Sequence, residues 1–431
     1  MELTDLDCNQ FIAILQEELV PALGCTEPIA IAYAGAHARA LLGEIPDRVC
    51  IKSSGNIIKN VKSVTVPNSG NMKGIPAAAA IGIIGGNPDK GLEVLADITE
   101  ADIARTKEFL AKIPCKVSLL DTVASLHFIV EVFAGADSAS VEIIHQHTNI
   151  VRKTKNGKDI LSVPFDPASA NAALTDRSGL SVKKILEFAD TIDLDRVRPI
   201  LERQIDYNTR IAQEGLEHRY GINAGANLLK AAEAEQAVTL KIRAQAAAAA
   251  GSDARMSGCT LPVVTNSGSG NQGLTASLPV IVFAEERKLP HDKLLRGLLV
   301  SNLIAIHQKT RIGRLSAYCG AVSAGCGSGA AVTYLSGGSY EQVCETITNT
   351  LAVVSGIVCD GAKPSCASKI ATSVDAALNA HYLAMQNRVF EPGEGIVKGD
   401  IEKTIAGVGA VAADGMRETD KVILRIMVDD D

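Results

Sequence analysis

The stretch AGANLLKAAEAEQAVTLKIRAQAAAA, from Ala224 to Ala249, decides the fold class. Apolar residues recur along it at the spacing of a helix and not of a strand. The same helical period runs through Val182 to Ala189, Val197 to Glu214 and His291 to Lys309. These segments predict a large α-helical domain beyond Leu180.

Two more helices are predicted at the start of the chain. Asp7 to Val20 carries apolar residues at helical spacing and stops at Pro21. Pro28 suits the first turn of a second helix, and the following Ala-rich Ile29 to Leu42 suits a helix packed tightly against its neighbours. We expect this pair to join the later helical domain, with Cys25 just before a helix start.

The chain between these helical parts has a different pattern. Short runs of β-type residues alternate there with helical candidates and end in a loop from Thr154 to Ala170. The β-type runs are Val49 to Ile51, Val61 to Val66, Val117 to Leu120, His127 to Phe133 and Val141 to His147, and the helical candidates are Pro76 to Ile84, Gly91 to Leu95 and Glu100 to Ile113. The final run, Val422 to Val428, is also predicted to be a strand.

The predicted fold class is therefore α+β, with a large all-α catalytic domain and an inserted smaller α/β domain. The predicted divisions are residues 1–46 for the N-terminal helices of the catalytic domain, 47–170 for the inserted α/β domain, and 171–431 for the α-helical, cluster-binding part.

Composition narrows the class of protein. Of 431 residues, 47% are hydrophobic and 21% charged, which is ordinary for a globular chain. The net charge of −7 is spread along the chain, so we expect no nucleic-acid partner. No apolar run is long enough to span a bilayer, and the first ten residues do not resemble a signal peptide, so we expect no membrane partner and a cytoplasmic location. Ala-rich helices and sheet edges make a homodimer possible.

Residue types also indicate the nature of the core and of the cysteines. Aromatic residues make up 3% of the chain and Trp is missing, so the core must consist of small and aliphatic side chains with closely spaced helices. Ten cysteines are too sparse for a disulfide scaffold in a chain of this size. Five of them lie singly in or beside apolar stretches and are interpreted as core residues, namely Cys8, Cys50, Cys115, Cys259 and Cys344.

The segment from Gly268 to Gly273 matches the pattern G-x-G-x-x-G of dinucleotide-binding proteins. We reject that interpretation because Pro279 should interrupt the following helix and no second βα unit follows. A plain flexible loop is one possibility. A better one is a site for a small carboxylate, because Ser267, Ser269 and Asn271 supply hydroxyl and amide groups and the glycines expose backbone N–H groups.

A second group of candidate residues is the set of four late cysteines, Cys319, Cys326, Cys359 and Cys366. Their spacing lacks the paired C-x₂-C of structural zinc sites. Thiols with Gly and Pro nearby suit an iron-sulfur cluster better, because small residues let the chain approach it closely. From spacing alone, core cysteines or redox cysteines remain possible.

The motif Gly24-Cys25-Thr26-Glu27-Pro28 is the third candidate. A helix N-terminus stabilises a thiolate, which makes Cys25 a possible base or nucleophile. The negative charge of Glu27 opposes this by raising the thiol pKa. A buried cysteine at a helix entry is therefore the competing interpretation.

Taken together, GCTEP, TNSGSGNQG, AYCG and CDGAKPSC resemble the L-cysteine desulfidase family, which is related to the iron-sulfur L-serine dehydratases. The resemblance spans nearly the whole chain. It implies a [4Fe-4S] cluster held by Cys319, Cys359 and Cys366, with Cys25 as the catalytic base and Cys326 as a neighbour. The Ser-Ser-His-Thr segment of the related serine dehydratases is missing from this sequence.

The activity that the resemblance implies is β-elimination of a small amino acid, L-cysteine, to pyruvate, ammonia and sulfide, with the cluster as Lewis acid. Three competing functions stay open. One is an iron-sulfur L-serine dehydratase. Another is a pyridoxal-phosphate lyase, with Lys363 or Lys309 forming the Schiff base. The last is a cluster-binding redox sensor without enzymatic activity.

Overall fold

The computed structural model describes residues 3–168 and 174–428 of the chain. Helices dominate it. In chain order they are α1 (Asp5–Glu18), α2 (Thr26–Leu42), α3 (Gly55–Val61), α4 (Gly74–Gly85), α5 (Glu100–Lys112), α6 (Val182–Thr191), α7 (Arg198–Glu217), α8 (Ala224–Ala234), α9 (Leu240–Met256), α10 (Gly270–Glu286), α11 (His291–Ile312), α12 (Gly320–Leu335), α13 (Tyr340–Val354), α14 (Ser365–Ala384), α15 (Ile401–Ala410) and α16 (Arg417–Val428). No helix within these ranges is long and apolar enough to cross a membrane.

The strands form two sheets. They are β1 (Pro21–Leu23), β2 (Arg48–Ser53), β3 (Cys115–Leu119), β4 (His127–Ala134), β5 (Asp137–Ile144), β6 (Ile150–Lys155), β7 (Lys158–Ser162) and β8 (Pro262–Val264). A six-stranded sheet has the order β3-β2-β4-β5-β6-β7, with β2 and β3 parallel and the other neighbours antiparallel. β1 and β8 pair separately and antiparallel. The α+β class, with a large helical part and a smaller part that contains the mixed sheet, is confirmed.

Two large hydrophobic cores lie in these parts. The first joins α1 to α6 and the helices that follow it, and the second lies between the six-stranded sheet and helices α2 and α4. Helix α2 thus packs on the sheet, whereas the sequence pattern predicts it within the helical domain. The predicted domain limits stay predictions, and the limit at residue 170 falls within 169–173, outside the described residues.

Close helix contacts are possible because small residues fill the interfaces. A Cβ atom on Gly327 of α12 would lie 2.4 Å from the carbonyl oxygen of Ser301 on α11. One on Gly82 of α4 would lie 2.1 Å from the carbonyl oxygen of Ala32 on α2. Both distances are shorter than van der Waals contact, so these helices meet at this spacing only with glycine. The prediction of closely spaced helices is confirmed.

Three segments differ from the predicted elements. The single long helix predicted from Ala224 to Ala249 is two helices, because Gln236 has a φ of 53° and the Thr239 side chain starts a new helix by accepting a hydrogen bond from the Ile242 N–H. Val61 to Val66 is not a strand, since α3 ends at Val61. Val422 to Val428 belongs to helix α16, which packs its Leu424 side chain against Gly55 of α3.

The remaining differences are at turns. The predicted loop from Thr154 to Ala170 contains the hairpin of β6 and β7, whose two-residue turn is Asn156-Gly157 with both φ angles positive. Strand β5 stops at Ile144, three residues before its predicted end, because His145 has a φ of 67°. The predicted helix at Gly91 to Leu95 is a short 3₁₀ turn, Pro88–Glu93.

Candidate active site

The N-termini of four helices meet at one buried cavity. Cys25 precedes α2, Ser269 precedes α10, Cys319 precedes α12, and Cys366 lies in the first turn of α14. Helix N-termini present free backbone N–H groups and a positive dipole end, which favour thiolates and anionic ligands. All seven predicted site residues line the cavity, together with Glu27, Asn60, His147, Arg255, Lys309 and Arg314.

A single β-bridge brings Cys319 and Cys359 together. Tyr318 and Val358 form this bridge, in which the Cys319 N–H donates to the Ile357 carbonyl at 3.0 Å and the Cys359 N–H donates to the Ala317 carbonyl at 2.6 Å. The two cysteines therefore lie side by side although forty positions separate them in the sequence.

The chain after Cys359 turns sharply to place Cys366 at the same cavity. Gly361 has a φ of 95°, and a Cβ atom there would lie 2.4 Å from the carbonyl oxygen of Lys59 on α3. Only glycine fits so close a contact with a positive φ. Asp360 holds the turn by ion pairs with Lys363 and Lys369, which keep the pKa of its carboxyl at about 2 although burial acts in the opposite direction.

Burial and charge define the surroundings of these thiols. Burial raises the pKa of Cys319 to about 12, and the neighbouring Cys359 and Cys366 contribute to the increase. The ammonium group of Lys309, on α11, faces the same thiols. Burial lowers the pKa of Lys309 to about 8, and Cys359 and Cys319 act against that decrease. The three cysteines and one buried cation therefore form a single electrostatic cluster.

The chemistry of these donors fits the predicted [4Fe-4S] cluster. Within the described residues, no group of three or more His, Cys, Asp or Glu side chains is arranged to hold a metal ion. The ligands of a cubane bind different irons and need not converge on one point. Three thiols line the cavity, two at helix N-termini and one beside a glycine turn, and they suit such a cluster in number and in type.

Cys25 has a different partner. Its Sγ donates a hydrogen bond to Glu27 Oε2 at 3.1 Å. Burial raises the pKa of the Cys25 thiol well above its ordinary value, and the Glu27 carboxylate raises it further, while Arg255 acts in the opposite direction. The resting form of Cys25 is therefore a protonated thiol.

Glu27 is held as an anion by several groups. Asn60 Nδ2 donates to Oε1 at 3.1 Å, and Thr26 Oγ1 lies 3.2 Å from Oε2. His147 Nε2 lies 4.0 Å from Oε1, which is an ion-pair distance and too long for a hydrogen bond. Burial alone would raise the pKa of Glu27, but His147 and the Cys25 thiol lower it to about 2.

The predicted carboxylate loop is a tight turn that leads into a helix. The turn from Asn266 to Ser269 has positive φ at Ser267 and Gly268, and the Ser267 hydroxyl donates to Asn266 Oδ1 at 2.9 Å. Asn271 Oδ1 accepts a hydrogen bond from Arg255 Nη1 at 3.1 Å. The Thr26 hydroxyl donates to the Gly268 carbonyl at 3.0 Å, which joins this loop to the Cys25 segment.

Helix α10, which follows this loop, does not end at Pro279. It continues through the proline to Glu286, so the prediction of an interruption there is wrong. The strand before the loop, β8, pairs antiparallel with β1 in a two-stranded sheet. The dinucleotide fold needs a parallel sheet at this point, so the pairing of β8 argues against that fold.

Several residues of the cavity stand outside every motif. His147 follows strand β5, Arg255 lies in the last turn of α9, and Arg314 follows α11. Each reaches the cavity only through the packing of the two cores, so no local sequence signal could have identified it. Lys309 and Lys363 are predicted only as possible Schiff-base residues. Lys309 faces the thiols, whereas Lys363 pairs with Asp360 at 2.9 Å.

Comparison with known proteins identifies the family of this chain. The profile of the serine dehydratase alpha chain matches residues 89–425, well over half of the chain. A UPF0597 protein of Treponema denticola is 58% identical over 98% of both chains. One of Lachnoclostridium phytofermentans is 54% identical over 97% of this chain and 99% of its own, and one of Desulfitobacterium hafniense is 50% identical over 99% and 98%.

The profile match defines the class as serine dehydratase-like lyases, for which an iron-sulfur cluster is typical. The chain belongs to the serine dehydratase alpha chain family.

Proposed function

We propose that this protein is an L-cysteine desulfidase that eliminates sulfide from L-cysteine with the help of a [4Fe-4S] cluster. The observation that carries the proposal is that Cys25, Cys319, Cys359 and Cys366 line one buried cavity. Lysine ammonium groups lie near three of these thiols, and the fourth, Cys25, donates a hydrogen bond to a carboxylate. Cys319, Cys359 and Cys366 are therefore suited to bind a metal cluster, and Cys25 is suited to acid–base chemistry.

Cys319, Cys359 and Cys366 would hold the cluster. Three protein ligands leave one iron open, and the bound cluster would supply a Lewis acid that activates the leaving thiol. Lys309, whose ammonium group faces Cys319 and Cys359, offsets the negative charge of the thiolates. Helix α12 adds to this, because Cys319 immediately precedes it and the positive end of its dipole favours a thiolate.

Cys25 would take the proton from the α-carbon of the substrate. It must act as a thiolate, so its own proton has to be lost to solvent first. Arg255 favours that loss, and the Glu27 carboxylate opposes it. The α-proton then moves to Cys25 Sγ, a Cα–Cβ double bond forms, and the Cβ–S bond breaks with the electron pair on sulfur. Hydrolysis of the resulting aminoacrylate yields pyruvate and ammonia.

The substrate preference follows from the leaving group. A thiolate is a softer ligand for iron and a better leaving group than hydroxide, and the Ser-Ser-His-Thr segment of serine dehydratases is missing here. A pocket cannot strongly reject an isostere that differs by one atom, so some activity toward L-serine is expected.

Pyruvate formation from L-cysteine and from L-serine, measured on anaerobically reconstituted protein, tests the proposal. We expect the larger kcat/KM for L-cysteine. Equal or higher kcat/KM for L-serine would make the protein a serine dehydratase. An anaerobic absorption spectrum distinguishes a cluster enzyme from a pyridoxal-phosphate lyase, because a cluster gives a broad charge-transfer shoulder and pyridoxal phosphate gives a sharp aldimine band. A cluster spectrum without turnover of either amino acid would indicate the redox sensor.

A further inference from the structure

Arg255 is a buried cation that faces the cavity without an ionic partner. It is 2% exposed and lies in the last turn of α9. Among the residues that the structure describes, Arg255 forms no ion pair, and its Nε makes no hydrogen bond. Arg314, another guanidinium at the cavity, is paired with Glu18 at 2.9 Å. Burying a charge without a counter-charge is costly, so Arg255 needs an anion.

The position of Arg255 makes that need stronger. A Cβ atom on Gly270 would lie 2.3 Å from Arg255 Nε, so the guanidinium rests against the first residue of α10. A helix N-terminus is the positive end of the helix dipole and repels a cation. Gly270 therefore makes room for a guanidinium at a place where the helix dipole repels it. An anion bound there would interact favourably with both the guanidinium and the helix N-terminus.

Asn271 fixes the orientation of this group. Arg255 Nη1 donates to Asn271 Oδ1 at 3.1 Å, while Nε stays unbonded within the described residues. Nε is buried against Gly270, and Nη2 forms no hydrogen bond within the described residues, so Nη2 is the group that can donate to a carboxylate.

Two opposite charges act on the Cys25 thiol. Glu27 lies 3.1 Å from the Cys25 thiol and is anionic, whereas Arg255 acts on the same thiol as a cation. A substrate carboxylate is repelled by the Glu27 carboxylate and attracted by the Arg255 guanidinium. Bound in this way, the α-carbon, one bond from the carboxylate, lies near Cys25.

We propose that Arg255 binds the α-carboxylate of the amino-acid substrate, with Asn271 holding the guanidinium in place. The nature of the substrate rests on the proposed function. The competing role is that of a counter-ion to Cys366, because Arg255 also faces that thiol. Lys309 already interacts with Cys319 and Cys359. Lys309 is therefore assigned to the ligand thiols and Arg255 to the substrate carboxylate.

Two small thiols test this assignment by calorimetric titration of anaerobically reconstituted protein, without turnover. 3-Mercaptopropionate has the thiol and the carboxylate but no amine, and cysteamine has the thiol and the amine but no carboxylate. In Arg255→Met we expect affinity for 3-mercaptopropionate to fall by roughly 30-fold or more and affinity for cysteamine to stay the same. Arg255→Lys keeps the charge without the fork and should give a smaller loss.

Arg243→Met is the matched control, because Arg243 lies on the same helix, is half exposed and pairs with Glu286. It should bind both thiols as the wild type does. Equal weakening of both thiols in Arg255→Met, no weakening of either, or loss of the cluster absorbance in both Arg255 variants would overturn the assignment. Wild-type protein that binds 3-mercaptopropionate through Arg255 but forms no pyruvate from L-cysteine would count against the proposed function alone.

Discussion

Cys25 and Cys319 occupy the same kind of position and differ in their neighbours. Each immediately precedes a helix, α2 or α12, each lines the cavity, and neither side chain caps its helix with a hydrogen bond. Cys25 donates to the Glu27 carboxylate, whereas Cys319 has Cys359 beside it and the ammonium group of Lys309 nearby.

The difference shows that a helix N-terminus does not by itself determine what a thiol does. The dipole favours a thiolate at both positions. A carboxylate 3.1 Å away keeps the proton on Cys25. Burial raises the pKa of Cys319 to about 12, so a bound metal would have to displace its proton, and Lys309 would offset the resulting negative charge. A group that releases and regains a proton suits acid–base chemistry, and a permanent thiolate suits metal binding.

The largest effect is expected when one of the three predicted cluster ligands is removed. Cys359→Ser should remove the iron-sulfur absorbance and reduce pyruvate formation to background, because two thiols cannot retain a cubane. Iron per chain and the anaerobic spectrum are the measurements. Cys326→Ser is the matched control, since Cys326 is buried in α12 with its Sγ 3.9 Å from the Ile347 carbonyl and does not line the cavity. Retained iron and activity in Cys359→Ser would rule this cysteine out as a ligand.

The next effect is expected on the acid–base side. Cys25→Ser should keep the cluster spectrum and lower kcat by ~10²- to 10⁴-fold, the range for removal of a general base. Stopped assays under anaerobic conditions measure this, with Cys50→Ser on strand β2 as a control that should behave like the wild type. Undiminished turnover in Cys25→Ser would remove this residue from the mechanism.

A smaller effect should appear in the pH profile of Glu27→Gln. After burial, the Glu27 charge is the main cause of the raised pKa of Cys25. Removing that charge lowers the pKa of the thiol, so more thiolate exists at a given pH and the rising limb of kcat/KM moves to lower pH. Glu131→Gln, on β4 and away from the cavity, should leave the limb in place. A limb that stays or moves to higher pH in Glu27→Gln would contradict the assignment.

The smallest effects are expected from two glycine substitutions, one near Cys319 and one near the helix that follows Cys25. Gly327→Ala pushes α12, which carries Cys319, away from α11, and Gly82→Ala pushes α4 away from α2, which follows Cys25. Each should cost about 1–3 kcal/mol of unfolding free energy and lower the melting temperature. Gly327→Ala should weaken iron retention, while Gly82→Ala should keep iron and lose a few-fold in turnover. Equal loss of iron in the two variants would mean that cluster binding and acid–base chemistry do not depend on separate parts of the fold.

The sequence predicted most helices and strands, short strands such as β2 and β4 included, and failed at single segments. His291 to Lys309 has a sustained helical period, and α11 matches it within a few residues. Val422 to Val428 looks like a strand, but contact with α3 makes it helical. Short apolar runs do not determine their own structure, and tertiary packing decides it.

The site could be predicted in part, for a physical reason. The cysteines and the Gly-rich loop stand in motifs, because backbone turns and small residues leave a mark on the local sequence. Arg255 and His147 leave none, since their function depends on partners that the fold supplies: Asn271 for Arg255, and Glu27 for His147. The burial of the Arg255 charge without an ion pair can be recognised only from the three-dimensional structure.

The β-bridge between Tyr318 and Val358 also has a consequence for the order of events during synthesis. Cys25 leaves the ribosome early, but Cys359 and Cys366 are made only in the last fifth of the chain. The three-thiol set therefore does not exist until translation is nearly finished, and a chain that stops before Val358 cannot assemble it. Under the proposed function, a [4Fe-4S] cluster could therefore be bound only after Cys366 has been synthesised.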